Sequence, residues 1–178
     1  MFLHGEGYRV IHACWKPDSI ESIKTMLTKN NQLKGEFIEA AFQKGSALYN
    51  AIEILMKGME MKLPDGITFR DLTDKERDKV RVKWWVPQEQ VENFAQIALV
   101  EDKVRKSLVN IEMSGNDKTL GYMDIVPPVF IGHYQLVGEP EPLTNRVVCV
   151  DYSGRDDKAL VSYTWDCSKR PFVDGMLE

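Results

Sequence analysis

Histidine and cysteine are the side chains best suited to chemistry near neutral pH, and the 178 residues hold only three of each. Two of the histidines share a setting. His12 follows Tyr8-Arg9-Val10-Ile11 and His133 follows Val129-Phe130-Ile131-Gly132, so each closes an apolar run that reads as a strand. The carboxyl ends of strands are where open α/β sheets build their sites. Asp151 closes a third such run, Val147-Val148-Cys149-Val150. Two imidazoles and a carboxylate so placed can converge on a divalent cation. Gly132 removes a side chain just before His133 and lets backbone or ligand come close. Taken singly, each residue reads first as a hydrogen-bonded histidine or a turn aspartate; their shared position makes the set a candidate.

Other side chains offer less. Cys14 stands two residues after His12, where a thiolate nucleophile is conceivable if its pKa is depressed; a small buried residue at a strand end is the simpler reading. Trp84-Trp85 beside Arg81 could stack a base, or could equally anchor a core or a lid. Arg77 and Arg81 are candidate phosphate contacts on charge and neighbourhood alone. No GxxxxGK[ST] loop occurs, so the phosphate cradle of a P-loop kinase is missing.

The elements that must position these residues can be read in outline. Tyr8–Ala13 reads as a strand, stopped by Pro17, after which Asp18 with Glu21 can cap a helix carrying Ile20, Ile23 and Leu27 and ended by Asn30-Asn31. Apolar positions at spacings of three and four (Phe37, Ala40, Ala41, Leu48, Ala51, Ile52, Leu55) predict a longer helical stretch over 34–57, with a break possible at Gly45. Leu63-Pro64-Asp65-Gly66 is a turn. Arg70 to Lys83 holds six basic and four acidic residues, read as a solvated face flanking the two tryptophans. Residues 88–109 show mixed helical periodicity, and Ser114–Asp117 reads as a loop. Strands are expected over 127–132, 146–151 and 159–165, the last two as an antiparallel hairpin turning through 151–157. The expected class is α/β, in one domain spanning 1–178.

Composition bounds the rest. With 43% hydrophobic and 28% charged residues the chain can bury a core, and no run of eighteen apolar residues suggests a membrane span. The formal charge of -4 removes bulk attraction to nucleic acid. Cys14, Cys149 and Cys167 form no CxxC pair, so neither a disulfide framework nor a zinc knuckle is expected and a cytoplasmic location is the default. The amino terminus lacks the basic start and long apolar stretch of a signal peptide.

Several blocks occur in a recognisable order: Val10-Ile11-His12-Ala13-Cys14-Trp15, Leu55-Met56-Lys57-Gly58, Leu63-Pro64-Asp65-Gly66, Arg81-Val82-Lys83-Trp84-Trp85, Phe130-Ile131-Gly132-His133-Tyr134, Pro140-Glu141-Pro142-Leu143 and Val148-Cys149-Val150-Asp151-Tyr152-Ser153. Together they resemble the carboxyl-terminal portion of bacterial calcineurin-like metallophosphoesterases, in particular those similar to diadenosine tetraphosphatases and to the phosphatase module of polynucleotide kinase-phosphatase. The resemblance covers essentially the whole chain. It implies the distal half of a layered α/β/β/α sandwich with an inserted helical, basic segment. The implied activity is two-metal hydrolysis of a phosphoester or phosphoanhydride, usually with manganese, acting on a phosphorylated small molecule or nucleotide and with phosphoproteins also in scope. By that resemblance His12 is the lone histidine of the family pattern and His133 the histidine of its G-H block, both on the second metal, while Asp151 matches a downstream aspartate on the other. The catalytic acid or base stays unassigned.

The chain also departs from the pattern. D-x-H, G-D-x-x-D and G-N-H are absent, Gly115-Asn116-Asp117 is only a partial echo, and Gln135 stands where many relatives have a second histidine. The missing blocks supply the bridging aspartate that holds two metals about 3.5–4 Å apart. A half site is therefore expected. A truncated reading frame, a separate chain carrying the other half, a catalytically inactive relative and an excised piece each account for it. Uncovered apolar surface and self-association are expected of such a half. The contrasting reading is a non-catalytic binding or regulatory remnant of the same fold, and a nucleic-acid-binding protein built on the basic stretch is a third.

Overall fold

The computed structural model describes residues 1–71, 73–113, 120–122, 127–154, 160–164 and 176–177. In chain order its strands and helices are β1 (Phe2–Gly5), β2 (Tyr8–Ile11), α1 (Pro17–Ile23), α2 (Ile38–Ala41), α3 (Ala47–Lys57), β3 (Glu60–Lys62), β4 (Phe69–Arg70), β5 (Glu76–Arg77), β6 (Lys79–Arg81), α4 (Phe94–Ile97), α5 (Asp102–Ser107), β7 (Val129–Ile131), β8 (Val147–Cys149), β9 (Tyr163–Thr164) and β10 (Met176–Leu177). The chain divides into two compact units, Met1–Lys57 with Met123–Glu178, and Gly58–Tyr122 between them in sequence. The class is mixed α/β. No described helix is long and apolar enough to cross a membrane.

The first unit is organised by a four-stranded sheet of order β1-β2-β7-β8. β1 and β2 form an antiparallel hairpin, with Phe2 opposite Ile11 and Gly5 opposite Tyr8. Its two-residue turn, Glu6-Gly7, needs the left-handed conformation that Gly7 supplies at φ 82°. β2, β7 and β8 then run parallel. The register puts Arg9, Ile11, Val129 and Ile131 on one face and Val10 and Phe130 on the other. The first face is the core side: Ile11, Val129 and Ile131 are buried, and Trp15 lies edge-on to Phe2 at 5.6 Å. The Arg9 guanidinium sits 4.8 Å over the Trp15 ring, a cation–π contact for a charged residue on the core face. Burying each aliphatic side chain of this kind contributes ~1.5–3 kcal/mol.

The cap of helix α1 lies two residues before the expected aspartate. Pro17 is its first helical residue and Lys16 the cap, without a capping side chain; Asp18 lies in the first turn, where the helix dipole favours a carboxylate. Glu21 pairs instead with Lys24 at 3.1 Å. Proline's fixed φ suits the first turn better than a strand end, and the helix starts on it.

The predicted helical stretch over 34–57 is divided. A 3-10 turn (Gly35–Phe37) leads into α2, and the chain breaks before α3 with Gly45 at φ 84°. Ser46 accepts the Tyr49 N–H at 3.0 Å and restarts the helix. α3 buries Leu48, Ala51 and Leu55, the stripe that its spacing indicated, whereas Phe42 at the break is exposed.

The second unit is built mostly from two-stranded ribbons, where the resemblance implied a helical insertion. β3 pairs with β6 and β4 with β5, both antiparallel; α4 and α5 are only four and six residues long. The reason lies in the charged run: Val80 and Val82 are buried while Lys79 is exposed and Arg81 intermediate, an alternation of two that only a strand can satisfy. Trp84, Trp85, Phe94, Ile97 and Leu108 complete a buried cluster with these valines.

The expected hairpin of 146–151 with 159–165 is replaced. β8 lies beside β7, and β9 pairs with β10. The expected loop at 114–117, part of the turn through 151–157 and Cys167 fall outside the described residues.

Candidate functional site

Three strand ends meet at the carboxyl edge of the first unit's sheet. The Gly132 N–H donates to the His12 carbonyl at 2.9 Å, and the Val150 N–H to the Ile131 carbonyl at 2.9 Å, so the parallel ladders run to the edge itself. A Cβ built on Gly132 would lie 3.6 Å from the His12 carbonyl oxygen and 3.7 Å from the Asp151 Cβ. These are ordinary contacts, so packing does not demand glycine here. They also show how closely His12, Gly132 and Asp151 adjoin.

The His12 and His133 rings lie 5.1 Å apart, tilted by 59°. His12 is exposed and His133 partly so. His133 has φ 72° and Gln135 φ 47°, the left-handed region that costs non-glycine residues roughly 1–2 kcal/mol each. The Tyr134 hydroxyl between them donates to the Ala13 carbonyl at 3.2 Å, tying this loop to the residue after His12.

Asp151 is heavily engaged. Its Oδ1 accepts the Ser153 hydroxyl at 2.6 Å and the Ser153 N–H at 3.1 Å. Partial burial pushes its pKa up, but the Ser153 hydroxyl and nearby backbone N–H groups outweigh that and hold it below the ordinary carboxylate value. Among the described residues, no three His, Cys, Asp or Glu side chains are placed to share a metal ion. The site thus unites two imidazoles and sets the third expected ligand beside them, on other donors.

The sheet face opposite the core is open at this edge. A groove of about 470 Å³ runs over Val10, Phe130 and Val150, with His12 and Gly132 in its wall and Asn30 and Gln32 also lining it. Leu3, also on its lining, is 60% exposed, so apolar surface is left uncovered in this unit.

The other sequence candidates lie elsewhere or inside. Cys14 is 1% exposed, which withholds it from a substrate. Cys149 is buried too, and burial pushes its thiol up to about 11, so it stays protonated at neutral pH. Arg77 and Arg81 belong to the second unit. There Arg77 binds Asp71 at 2.7 Å and Arg81 binds Glu60 at 3.1 Å. The Thr73 hydroxyl and then the Arg77 guanidinium hold the Asp71 carboxyl far below the ordinary carboxylate range. Trp84 and Trp85 pack edge to face at 5.8 Å and are each 3% exposed, so they present no stacking surface.

Sequence reasoning passed over Tyr134, Ser153 and Gly154. A Cβ on Gly154 would collide with the backbone carbonyl oxygens of Gln135 and Leu136. The signal for Ser153 was present in Asp151-Tyr152-Ser153, the spacing of an aspartate that accepts from the residue two ahead. Comparison of the chain with protein-family models, with curated proteins and with solved structures gives no match.

Proposed function

We propose that the carboxyl edge of the first unit's sheet is the distal part of a metal-assisted phosphoesterase site in a calcineurin-like half sandwich. The observation that carries this reading is the His12–His133 pair, 5.1 Å apart on adjacent parallel strands with His133 at φ 72°. Two imidazoles at that separation suit two ligand positions of one divalent ion. The described residues do not fit the full two-metal complement of the resemblance, because no third ligand converges on the pair. A bound ion would supply Lewis-acid polarisation of phosphoryl oxygens and a more acidic water. The chain's own part is to hold His12 and His133 at a solvent-facing edge, beside an apolar groove that can take the organic moiety of a phosphorylated small molecule or nucleotide.

A non-catalytic binding role on the same edge has one observation in its favour: Asp151, the expected third ligand, already accepts the Ser153 hydroxyl and the Ser153 N–H.

Calorimetric titration with manganese, paired with a p-nitrophenyl phosphate assay, tests the proposal. The expected result is one weakly held ion, hydrolysis near background, and ion binding lost in His133→Ala. Losing a ligand of this kind costs at least ~10–100-fold in affinity. Addition of a chain carrying D-x-H, G-D-x-x-D and G-N-H blocks should restore turnover. Strong manganese-dependent turnover by the 178 residues alone, indifferent to His133→Ala, would overturn the reading.

A further inference from the structure

His133 stands between two bonds that reach back to the His12 strand. Before it, the Gly132 N–H donates to the His12 carbonyl at 2.9 Å; after it, the Tyr134 hydroxyl donates to the Ala13 carbonyl at 3.2 Å. The first is a rung of the parallel ladder, made by backbone whatever the side chains; the second depends on one side chain. The Tyr134 ring also meets the His133 ring edge-on, with centroids 5.8 Å apart, while the His133 ring lies 5.1 Å from that of His12. On either side of Tyr134 the backbone is left-handed, at His133 (φ 72°) and Gln135 (φ 47°), a conformation such residues keep only when their surroundings hold it. The Leu136 N–H, bonded to the Asp151 carbonyl at 2.9 Å, ties down the far end of the turn. Tyr134 ties its middle to the residue after His12.

We propose that Tyr134 is the positioning residue of the histidine pair: its hydroxyl on the Ala13 carbonyl and its ring against His133 keep the two imidazoles close enough to serve one divalent ion. It acts only through His133. The proposal rests on the metal-binding reading of the pair for its function, and on the hydrogen bond and ring contacts alone for its structural content. The two parts can therefore fail separately.

The experiment compares wild type, Tyr134→Phe, Tyr134→Ala and His133→Ala. On the metal-free chain, NMR records the ring-to-ring NOEs between His12 and His133. Copper(II), which imidazole binds well, is then titrated as the probe and read by EPR, whose nitrogen couplings count the bound imidazoles. Urea unfolding records the stability of each variant. Wild type should show the NOEs and hold copper through two imidazoles. Tyr134→Phe keeps the ring and removes only the hydroxyl; it should weaken copper binding ~2–10-fold and shift the spectrum toward one imidazole. Tyr134→Ala should lose the NOEs and weaken binding ~10–100-fold, approaching His133→Ala. A tyrosine that only stabilises the fold would lower the urea midpoint and leave the folded protein's copper on two imidazoles. That outcome, or NOEs and affinity unchanged in both Tyr134 variants, would overturn the proposal. Where Tyr134→Ala fails to fold, Tyr134→Phe carries the test alone. If wild type shows the NOEs and Tyr134→Phe weakens them, yet neither binds copper, the positioning role stands and the metal reading of the pair falls.

Discussion

Both units carry exposed ion pairs, such as Glu21 with Lys24 in the first, but they differ in what else holds their polar groups. In Gly58–Tyr122 charges are abundant and locally paired on the surface: Lys62 with Asp65, Arg70 with Asp74, Arg77 with Asp71, Arg81 with Glu60 and Arg105 with Asp102. In the sheet unit the few polar groups at the strand ends are tied to backbone. The Asp151 carboxylate accepts the Ser153 N–H and its carbonyl the Leu136 N–H, and Tyr152, buried, both accepts the Glu141 N–H and donates to the Glu141 carbonyl. Exposed pairs of long side chains are worth little and move freely, whereas a carboxylate bonded to several backbone donors fixes geometry. Density of charge is thus a poor guide to where this chain can do chemistry; polar groups held by backbone are a better one.

The strongest challenge to that contrast concerns Trp84. If the second unit's aromatics are core and not a ligand surface, Trp84→Ala should lower unfolding free energy by ~3–5 kcal/mol in urea denaturation. Added nucleotide should change tryptophan fluorescence equally in wild type and in Trp84→Ala, since neither Trp84 nor Trp85 meets it. Quenching by nucleotide in wild type alone, with little loss of stability in the variant, would return the tryptophans to the candidate site.

Cys149 sharpens the other side. Its thiol, buried on β8, is raised from 9.0 to about 11, so the folded state favours the protonated form. The stabilisation is fully present below pH 9 and is lost as pH rises through about 11. The loss should reach about 2–3 kcal/mol by linkage. Denaturation midpoints followed across that range should fall more steeply for wild type than for Cys149→Ala. Parallel slopes would mean that the thiol is open to solvent at the strand ends.

The smallest effect belongs to the ion pairs. Arg81→Gln should change stability by only ~0–1 kcal/mol and lose even that in high salt. A large, salt-resistant loss would show that the Arg81–Glu60 bridge is structural and that the contrast between the units is overdrawn.

The sequence carried the parts of the fold that rest on burial. β2, β7 and β8 fall within the apolar runs, and Leu48, Ala51 and Leu55 face inward as their spacing indicated. It did not carry pairing. Nothing in Val147-Val148-Cys149 distinguishes a parallel partner 18 residues before it from an antiparallel one after it, because both leave the strand apolar. β1 escaped notice because Phe2-Leu3-His4-Gly5 is short and polar on one side, although Glu6-Gly7 marked its turn. At the site, the proximity of His12 and His133 followed from their places at two strand ends. The turn that carries His133 did not, since its left-handed residues, His133 and Gln135, are not of the types that announce such a conformation.

The pairing of β2 with β7 sets Arg9 beside Val129 and Val10 beside Phe130. Every other described pairing in the sheet, and the pairing of Glu60 with Arg81 in the second unit, joins residues far nearer in sequence. Loop-closure entropy rises only as the logarithm of length, by about 0.6 kcal/mol per doubling, but it must be met before the long-range contact returns anything. The hairpin of β1 with β2 and the ribbon of β3 with β6 can therefore form while the chain is still open. The two histidines stand one on each side of the longest closure, so the edge that carries them is expected to assemble late in folding and to be sensitive to any loss of long-range pairing.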